Sequence, residues 1–470
     1  MASSRKSKRS NSAGDVAAHV AARLGTVVKA GDRLLLGLSG GIDSIVLLDV
    51  LARLRKRRPF ELRALHVNHQ LSPNAARWAR FCRSACRAHQ VECRVVKVHV
   101  ARGNSVERAA REVRYAALLS ARADYIVLAH NADDQAETVL LQLLRGTGVK
   151  GLAAMPFLRT HKDSRRMTSS SLSEPRHASR LISQPSIIRP LLAVSRVQIA
   201  GYAQRRKLAW IEDESNDDTT YQRNWLRQDV LPLIATRVPA YRATLTRAAN
   251  HFAEADALLD DLGRIDAGET LTSGTIRLDR LQSLSEARAK NVLRLMIATQ
   301  GWPMPQAERL QEALRQALTA RADANLRVEL GGCELRRHRD LLYLLPTRVD
   351  LAGPSVVTWR GEPQLIVPGL GGVLRMTPRR GSGIRVGPLR SEVVTIRART
   401  GGERLQCDPG RIRRTVKNLL QEADIPAWER ARLPFIYCGN TLVCIPGLGV
   451  HHLFQPSAEE AAIFPSWQVF

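Results

Sequence analysis

No apolar run in this 470-residue chain is long enough to span a bilayer, and its Ser-, Lys- and Arg-rich first twelve residues are not followed by the apolar core of a secretory signal. Membrane insertion and export are not expected, so the anticipated setting is the cytoplasm, with no membrane partner. Cysteine is sparse and poorly spaced. The seven, Cys82, Cys86, Cys93, Cys333, Cys407, Cys438 and Cys444, form an odd set without a CxxC pair, which speaks against a zinc knuckle and a disulfide framework. Acids are in short supply: 44 Asp and Glu face 71 Lys and Arg, a formal charge of +27. That excess favours a polyanionic partner through counterion release and steering, although a basic surface serving solubility accounts for it equally well. No internal repeat is found. What remains is ordinary, since 44% apolar and 24% charged residues suit a globular protein, and the length suits about two to three domains.

Between about residues 33 and 151, leucine-rich or β-branched runs alternate with segments of helical periodicity, the pattern of an α/β domain with a doubly wound parallel sheet. Strands are expected over residues 34–38, 62–67, 94–98 and 125–129, and the loops beyond their C-terminal ends should hold the site. Residues 160–186 are polar, Ser- and Arg-rich and aperiodic, and read as a mobile insertion. Past Val230-Leu231-Pro232 the pattern turns helical, notably over 241–262 and 285–299, before strand-like runs near 327–330 and 341–345. A Pro- and Gly-bearing stretch, 350–387, leads to a mixed α+β region with a strand over 393–396, a helix near 415–423 and apolar runs around Ile436 and Leu442. The expected division is a basic extension with a first helix (1–30), the α/β domain (31–235), a small helical middle domain (236–349) and a C-terminal domain (350–470).

One motif sits where its chemistry can be read. Ser39-Gly40-Gly41-Ile42-Asp43-Ser44 directly follows the first strand and opens an apolar-periodic helix over 45–54. Glycines let backbone N–H groups approach a phosphate, serines add hydroxyls, and the helix N-terminus adds a positive dipole end. The motif has neither the Gly-Lys-Ser/Thr ending of a Walker loop nor the G-x-G-x-x-G of a dinucleotide site. A carboxylate at Asp43 repels phosphate unless Mg²⁺ stands between them, an arrangement suited to a metal-bridged pyrophosphate leaving group. The plainer alternative is a glycine-rich turn with Asp43 as a first-turn acid.

SGGIDS in this setting resembles the PP-loop of the N-type ATP pyrophosphatases, which cleave ATP to AMP and pyrophosphate to adenylate an oxygen. Further segments narrow the resemblance to the tRNA(Ile)-lysidine synthetase family. His66-Val67-Asn68-His69-Gln70-Leu71-Ser72 is similar to its HVxHxLS, and the run from Glu107 through Arg111 and Arg114 to Tyr115 to its ExxARxxRY. His130-Asn131-Ala132-Asp133-Asp134-Gln135-Ala136-Glu137-Thr138, with Arg145-Gly146-Thr147-Gly148, resembles HHxDDQxET and RGxG, Asn131 standing where a second His is common. Arg189-Pro190-Leu191-Leu192, and Glu212-Asp213-Glu214-Ser215-Asn216 with Arg223-Asn224 and Arg227, resemble RPLL and EDxSN…RNxxR, with Glu214 in place of the usual Pro. Arg397-Ala398-Arg399, Gly401-Gly402-Glu403-Arg404, Lys417, Pro426, Trp428, Arg430 and Pro434 are similar to the family's C-terminal tRNA-binding domain.

The resemblance implies an adenine nucleotide alpha hydrolase-like fold and a carbon–nitrogen ligase. Such an enzyme joins lysine to C2 of the wobble cytidine of tRNA(Ile) bearing a CAU anticodon, through an adenylated tRNA, changing the codon read from AUG to AUA. ATP is its co-substrate and Mg²⁺ its metal; a homodimer is compatible with it. Carried onto this chain, the catalytic set is Asp43, Asp134, Glu137, His130 and Arg111, with Glu137 orienting the lysine ammonium. ATP falls to Ser39, Gly40, Gly41, Ile42, Asp43, Ser44, His66 and Arg114, and Mg²⁺ to Asp43 and Asp134. Arg223, Arg227, Arg397, Arg399 and Lys417 are expected to meet tRNA. Residue by residue, milder accounts compete: a Glu107–Arg111 pair within one helix, Asp133 and Asp134 as first-turn acids, Arg227 on a surface helix. Two other functions stay open at this point. One is a tRNA thiolase, which wants a persulfide Cys or clustered Cys ligands. The other is a basic RNA-binding protein without catalysis.

Overall fold

The computed structural model describes residues 12–100, 106–160, 185–212, 220, 222–268, 274–321, 326–347, 356–410 and 414–469, with side chains from residue 16 in the first segment and from 109 in the second. The basic first eleven residues, the side chain of Glu107, nearly all of the 160–186 insertion and Asp213 to Asn216 lie outside the described residues. The chain forms two compact units, the first reaching Leu344 and the second beginning at Leu345.

In the first unit, β1 (Arg33–Gly37), β2 (Glu61–Asn68), β3 (Glu92–Lys97), β4 (Tyr125–Val127), β5 (Leu158–Arg159) and β6 (Ser186–Ile188) build one sheet, ordered β3-β2-β1-β4-β6-β5. All neighbours run parallel except β5, an antiparallel edge on β6. Side-chain alternation buries both faces: Leu34 and Leu36 point into one core, Leu35 into the other. Helices α1 (Ser12–Gly25), α2 (Ile42–Leu54) and α3 (Ala75–Ala88), with the helix Arg196–Arg205, cover the first face. On the second lies α4 (Val106–Leu119), through Tyr115, Leu118 and Leu119. The expected doubly wound α/β sheet is therefore present. β6 begins at Ser186, so the insertion as read from sequence runs one residue into a buried strand that its Ser-rich flank concealed.

The chain winds outward from β1 through β2 to β3, then returns to set β4 on the opposite flank of β1. The crevice beyond the C-terminal ends of β1 and β4 is thus the point where strand order reverses, the position at which open α/β sheets bind ligands. From β4 the chain enters α5 (Ala132–Leu144). A long helix, Tyr241–Ala267, packs on α5 near its start and on the helix Glu286–Thr299 further along. Ala136, Leu231 and Tyr241 form a small core at the first of these contacts. The strands Thr275–Arg277, Leu341–Pro346, Cys333–His338 and Arg327–Glu329 complete the middle region as a four-stranded sheet.

The second unit contains a five-stranded sheet from Val356–Trp359, Val394–Arg397, Phe435–Cys438, Thr441–Ile445 and Gly449–Val450. A four-stranded sheet joins Gln364–Val367, Gly372–Arg380, Ala461–Val469 and Ile384–Arg385 in that order. The 350–387 stretch, expected as a lead-in, is therefore strand for much of its described part. Leu374 and Met376 point inward while Arg375 and Thr377 face solvent, a period-two pattern partly hidden by the surrounding Pro and Gly. Among the described residues no helix is long and apolar enough to cross a membrane.

Candidate active site at the strand switch

The loop after β1 is shaped by its own side chains. Gly40 has φ +94°, and a Cβ there would come within 2.6 Å of Ile211 Cδ1 and 3.1 Å of Cys82 Sγ, so glycine is required on both counts. Ser44 Oγ accepts the Gly40 N–H at 3.1 Å and donates to the Gly41 carbonyl at 2.9 Å, while Ser39 Oγ accepts the Gly41 N–H at 3.3 Å. The serines expected as phosphate donors are thus engaged in holding the loop. No side chain caps α2, which leaves its first-turn N–H groups, those of Ile42, Asp43 and Ser44, for an anion. His66, expected beside the nucleotide, is 5% exposed and places Nδ1 2.9 Å from the Leu38 carbonyl, tying β2 to the base of the loop. Gly40→Ala, forced into a left-handed conformation that disfavours a Cβ by about 1–2 kcal/mol, is expected to weaken ATP binding about tenfold or more. Calorimetric titration with ATP measures this; unchanged affinity would mean that the loop is not the nucleotide cradle.

Across the crevice, Asn131 organises the acids. Its Oδ1 accepts the N–H groups of Asp133 and Asp134 at 2.9 and 3.0 Å, and its own N–H donates to Asp134 Oδ2 at 2.9 Å, a capping box that starts α5. The side-chain amide turns to α2: Asn131 Nδ2 donates to Asp43 Oδ1 at 3.1 Å. One side chain therefore links the first acid of α2 to the first acids of α5. Burial, and then the charge of Asp134, push the Asp43 carboxyl up to about 6, and burial likewise raises Asp134 despite the Arg223 guanidinium. In the sequence Asn131 stands out only as a departure from a family pattern. The signal that marks it is general, an Asn followed three residues later by an acid at a helix start.

This donor set fits Mg²⁺. Two carboxylates whose ionised forms are destabilised by burial and by a neighbouring acid, Asp134 beside Asp43 and Glu137 beside Asp134, gain from a hard cation, and Mg²⁺ takes one or two protein carboxylates before completing its shell with phosphate and water. Among the described residues no group of three or more His, Cys, Asp or Glu is arranged to hold a metal alone.

Glu137 is 1% exposed, and both of its oxygens are taken. Arg223 Nε reaches Oε2 at 2.7 Å, Arg227 Nε reaches Oε1 at 2.7 Å, and Arg223 Nη2 continues to Asp134 Oδ1 at 2.8 Å. Arg223 and Arg227, expected at RNA phosphates, turn inward to the acids, one helical turn apart. Glu137, expected to contact a substrate ammonium, has both oxygens bonded to these guanidinium groups. Asp133, which sequence left without a role, accepts the Arg196 backbone N–H at 2.8 Å and Arg242 Nε at 2.5 Å. Beside it opens a cleft of about 500 Å³ bordered by Glu137, Arg196, Arg227, Leu231 and Tyr241.

On the α4 side of the crevice, the Arg111 and Arg114 guanidinium carbons stand 5.5 and 6.0 Å from the Tyr115 ring centre. His130 follows β4; burial first, and then the charges of Arg189, Arg223, Arg114 and Arg111, hold its pKa well below the usual histidine value, so its imidazole is neutral at pH 7. The remaining tRNA-binding candidates belong to the second unit. Arg397 stacks 4.6 Å over Tyr437 and donates to Thr395 Oγ1 at 2.9 Å, Arg399 lies 3.8 Å from Glu403, and Lys417 is exposed on the helix Val416–Glu422.

Three family models match along the chain: a PP-loop domain over residues 15–234, a TilS substrate binding domain over 277–343 and a TilS substrate C-terminal domain over 394–467. Among curated proteins, the chain is 40% identical to the tRNA(Ile)-lysidine synthase of Nitrosomonas europaea, covering 94% of this chain and 93% of that one. It is 42% identical to the protein of that name from Aromatoleum aromaticum, over 93% of this chain and 97% of the relative. The Coxiella burnetii protein is 35% identical over 93% of each.

Proposed function

The chain belongs to the tRNA(Ile)-lysidine synthase family, and from that premise we propose how its switch-point site carries out the reaction. It is an ATP-using PP-loop enzyme that forms lysidine on tRNA(Ile). In the proposed sequence, O2 of the wobble cytidine attacks the α-phosphorus of ATP, and the bond to pyrophosphate breaks as the new O–P bond forms. The ε-amine of lysine then attacks C2, the C–O bond to AMP breaks, and the amine gives up a proton.

The uncapped first turn of α2, with the loop that Gly40 bends toward it, receives the pyrophosphate. Asp43 and Asp134 would hold Mg²⁺, which would supply positive charge to offset that of the phosphates. Arg223 and Arg227, fixed by Glu137, keep positive charge beside the acid pair, where it suits the anionic leaving group AMP. The observation that carries this reading is the Asn131 bond to Asp43, which brings the acid of the phosphate loop and the acids of α5 into one site.

The test is incorporation of labelled lysine into tRNA(Ile) with a CAU anticodon, with ATP and Mg²⁺ present and methionine tRNA as control. Labelling of the isoleucine tRNA with equivalent AMP formation is expected. AMP formation without lysine uptake would keep the ATP chemistry and displace lysine as nucleophile. The thiolase alternative is not favoured by the relatives, and Cys82 and Cys86 are fully buried on the core face of α3.

A further inference from the structure

Three of the seven cysteines stand together against the first face of the sheet. Cys82 and Cys86 lie one turn apart on the core face of α3, both fully buried, while Cys93 is partly exposed on β3, an edge strand. A tight reversal brings the last two side by side. α3 ends at Ala88, Gln90 takes φ +53°, and the Val91 N–H donates to the Cys86 carbonyl at 2.9 Å, so Cys93 returns along the final helical turn and packs on the same core. There the Cys86 and Cys93 thiols hydrogen-bond to each other. Cys82 continues the row inward: its Sγ is 3.4 Å from His66 Nδ1 and 3.1 Å from where a Cβ on Gly40 would stand. Among the described residues, no group of this kind is arranged to hold a metal.

None of these thiols has a task in the chemistry above, and they differ in reactivity. The Cys86 hydrogen bond, aided by the Arg83 charge, lowers the Cys93 pKa against burial, whereas the same bond and then burial push Cys86 up. Burial pushes Cys82 up to about 12. Thiolate character and exposure, the two requirements for attack on an oxidant, thus coincide at Cys93, with a second thiol in contact to resolve the product. We propose that Cys93 and Cys86 are a peroxide-reactive dithiol whose disulfide weakens nucleotide binding by disturbing the phosphate loop through Cys82. The Cys93 thiolate attacks one oxygen of hydrogen peroxide, the O–O bond breaks, and the departing hydroxide takes up the proton that Cys93 released. The Cys86 sulfur then attacks the resulting sulfenic sulfur, the S–O bond breaks, and the hydroxyl leaves as water with the Cys86 proton. Two thiols are oxidised to one disulfide, and one peroxide is reduced to two waters. A covalent bond sets the sulfurs closer than a hydrogen bond does, so the end of α3 must shift toward β3; in a close-packed interior that shift reaches Cys82, one turn back, and the Gly40 backbone against it.

The test exposes the full-length protein to stoichiometric hydrogen peroxide, blocks the remaining thiols and cleaves after arginine, which leaves the three cysteines in separate fragments, 81–83, 84–87 and 88–94. Fragments 84–87 and 88–94 should be recovered joined, and should part on reduction. ATP titration of the oxidised protein should show affinity lower by about fivefold, restored by reductant and insensitive to peroxide in Cys93→Ser. Unlinked fragments, a link through 81–83, or an affinity indifferent to oxidation overturns the proposal, as does an equal peroxide effect in Cys93→Ser. The affinity readout rests on the nucleotide reading of the loop. Reduced wild-type protein that binds no ATP faults that reading; reduced protein that binds ATP, and binds it equally well once oxidised, faults the thiol proposal alone.

Discussion

Asp43→Asn lowers AMP formation by about 10²–10³-fold and, in the same variant, makes the metal-free protein more stable at pH 7. The two effects have one origin. In the folded chain, burial and then the Asp134 charge move the Asp43 pKa from 3.8 to about 6. A carboxyl raised on folding costs stability in its ionised form, a cost that begins as pH climbs past 3.8 and is complete above about 6. At pH 7 the metal-free protein carries all of it, up to about 3 kcal/mol. The substituted amide removes that charge while its oxygen still accepts from Asn131 Nδ2. Thermal unfolding with a chelator should show the stabilisation in full at pH 7, about half of it at pH 5, and almost none at pH 3. A variant less stable than wild type at pH 7 would make Asp43 a structural acid, and one that forms AMP at an undiminished rate would remove it from the chemistry.

Glu137→Gln has the largest expected effect on the fold of any change at the site. Its carboxylate is 1% exposed and holds Arg223 and Arg227 at 2.7 Å each. Removing one partner of a buried ion pair costs about 3–5 kcal/mol, because the other charges remain desolvated without compensation. The replacement amide also turns a donor toward one of the two guanidiniums. Urea denaturation should record the loss, and steady-state kinetics should show a higher lysine KM or a turnover reduced about tenfold as the arginines shift. If the variant keeps its denaturation midpoint, the ion-pair account fails. If lysine KM and turnover are both unchanged, the acid has no part in the second step.

What sequence made legible at this site was local. Ser39 to Ser44 lies between a strand and a helix that periodicity identifies, and Asp134 and Glu137 stand one helical turn apart on α5. What it could not supply were partners brought from far along the chain. Arg223 and Arg227 meet Glu137 across more than eighty residues, and nothing in their own neighbourhood distinguishes an arginine turned toward a buried acid from one facing RNA. Asn131 was readable in principle, but comparison with a family pattern drew attention to the histidine it replaces rather than to the helix it starts. In the second unit, Pro378 and the glycines around Gly372–Arg380 masked an alternation that the strand nonetheless obeys.

That strand has a consequence for how the protein is made. Gly372–Arg380 pairs along its whole length with Ala461–Val469, which also carries Ile384–Arg385 on its other edge. The later segment is an interior member of its sheet, so Leu374 and Met376 stay without a complete core while the intervening chain is synthesised. The first unit needs nothing from beyond Pro346 to close its own sheets in this way. A ribosome-bound chain would thus present a finished nucleotide site well before the second unit can fold, and proteolytic loss of residues 461–469 would open that unit while leaving the acid pair assembled.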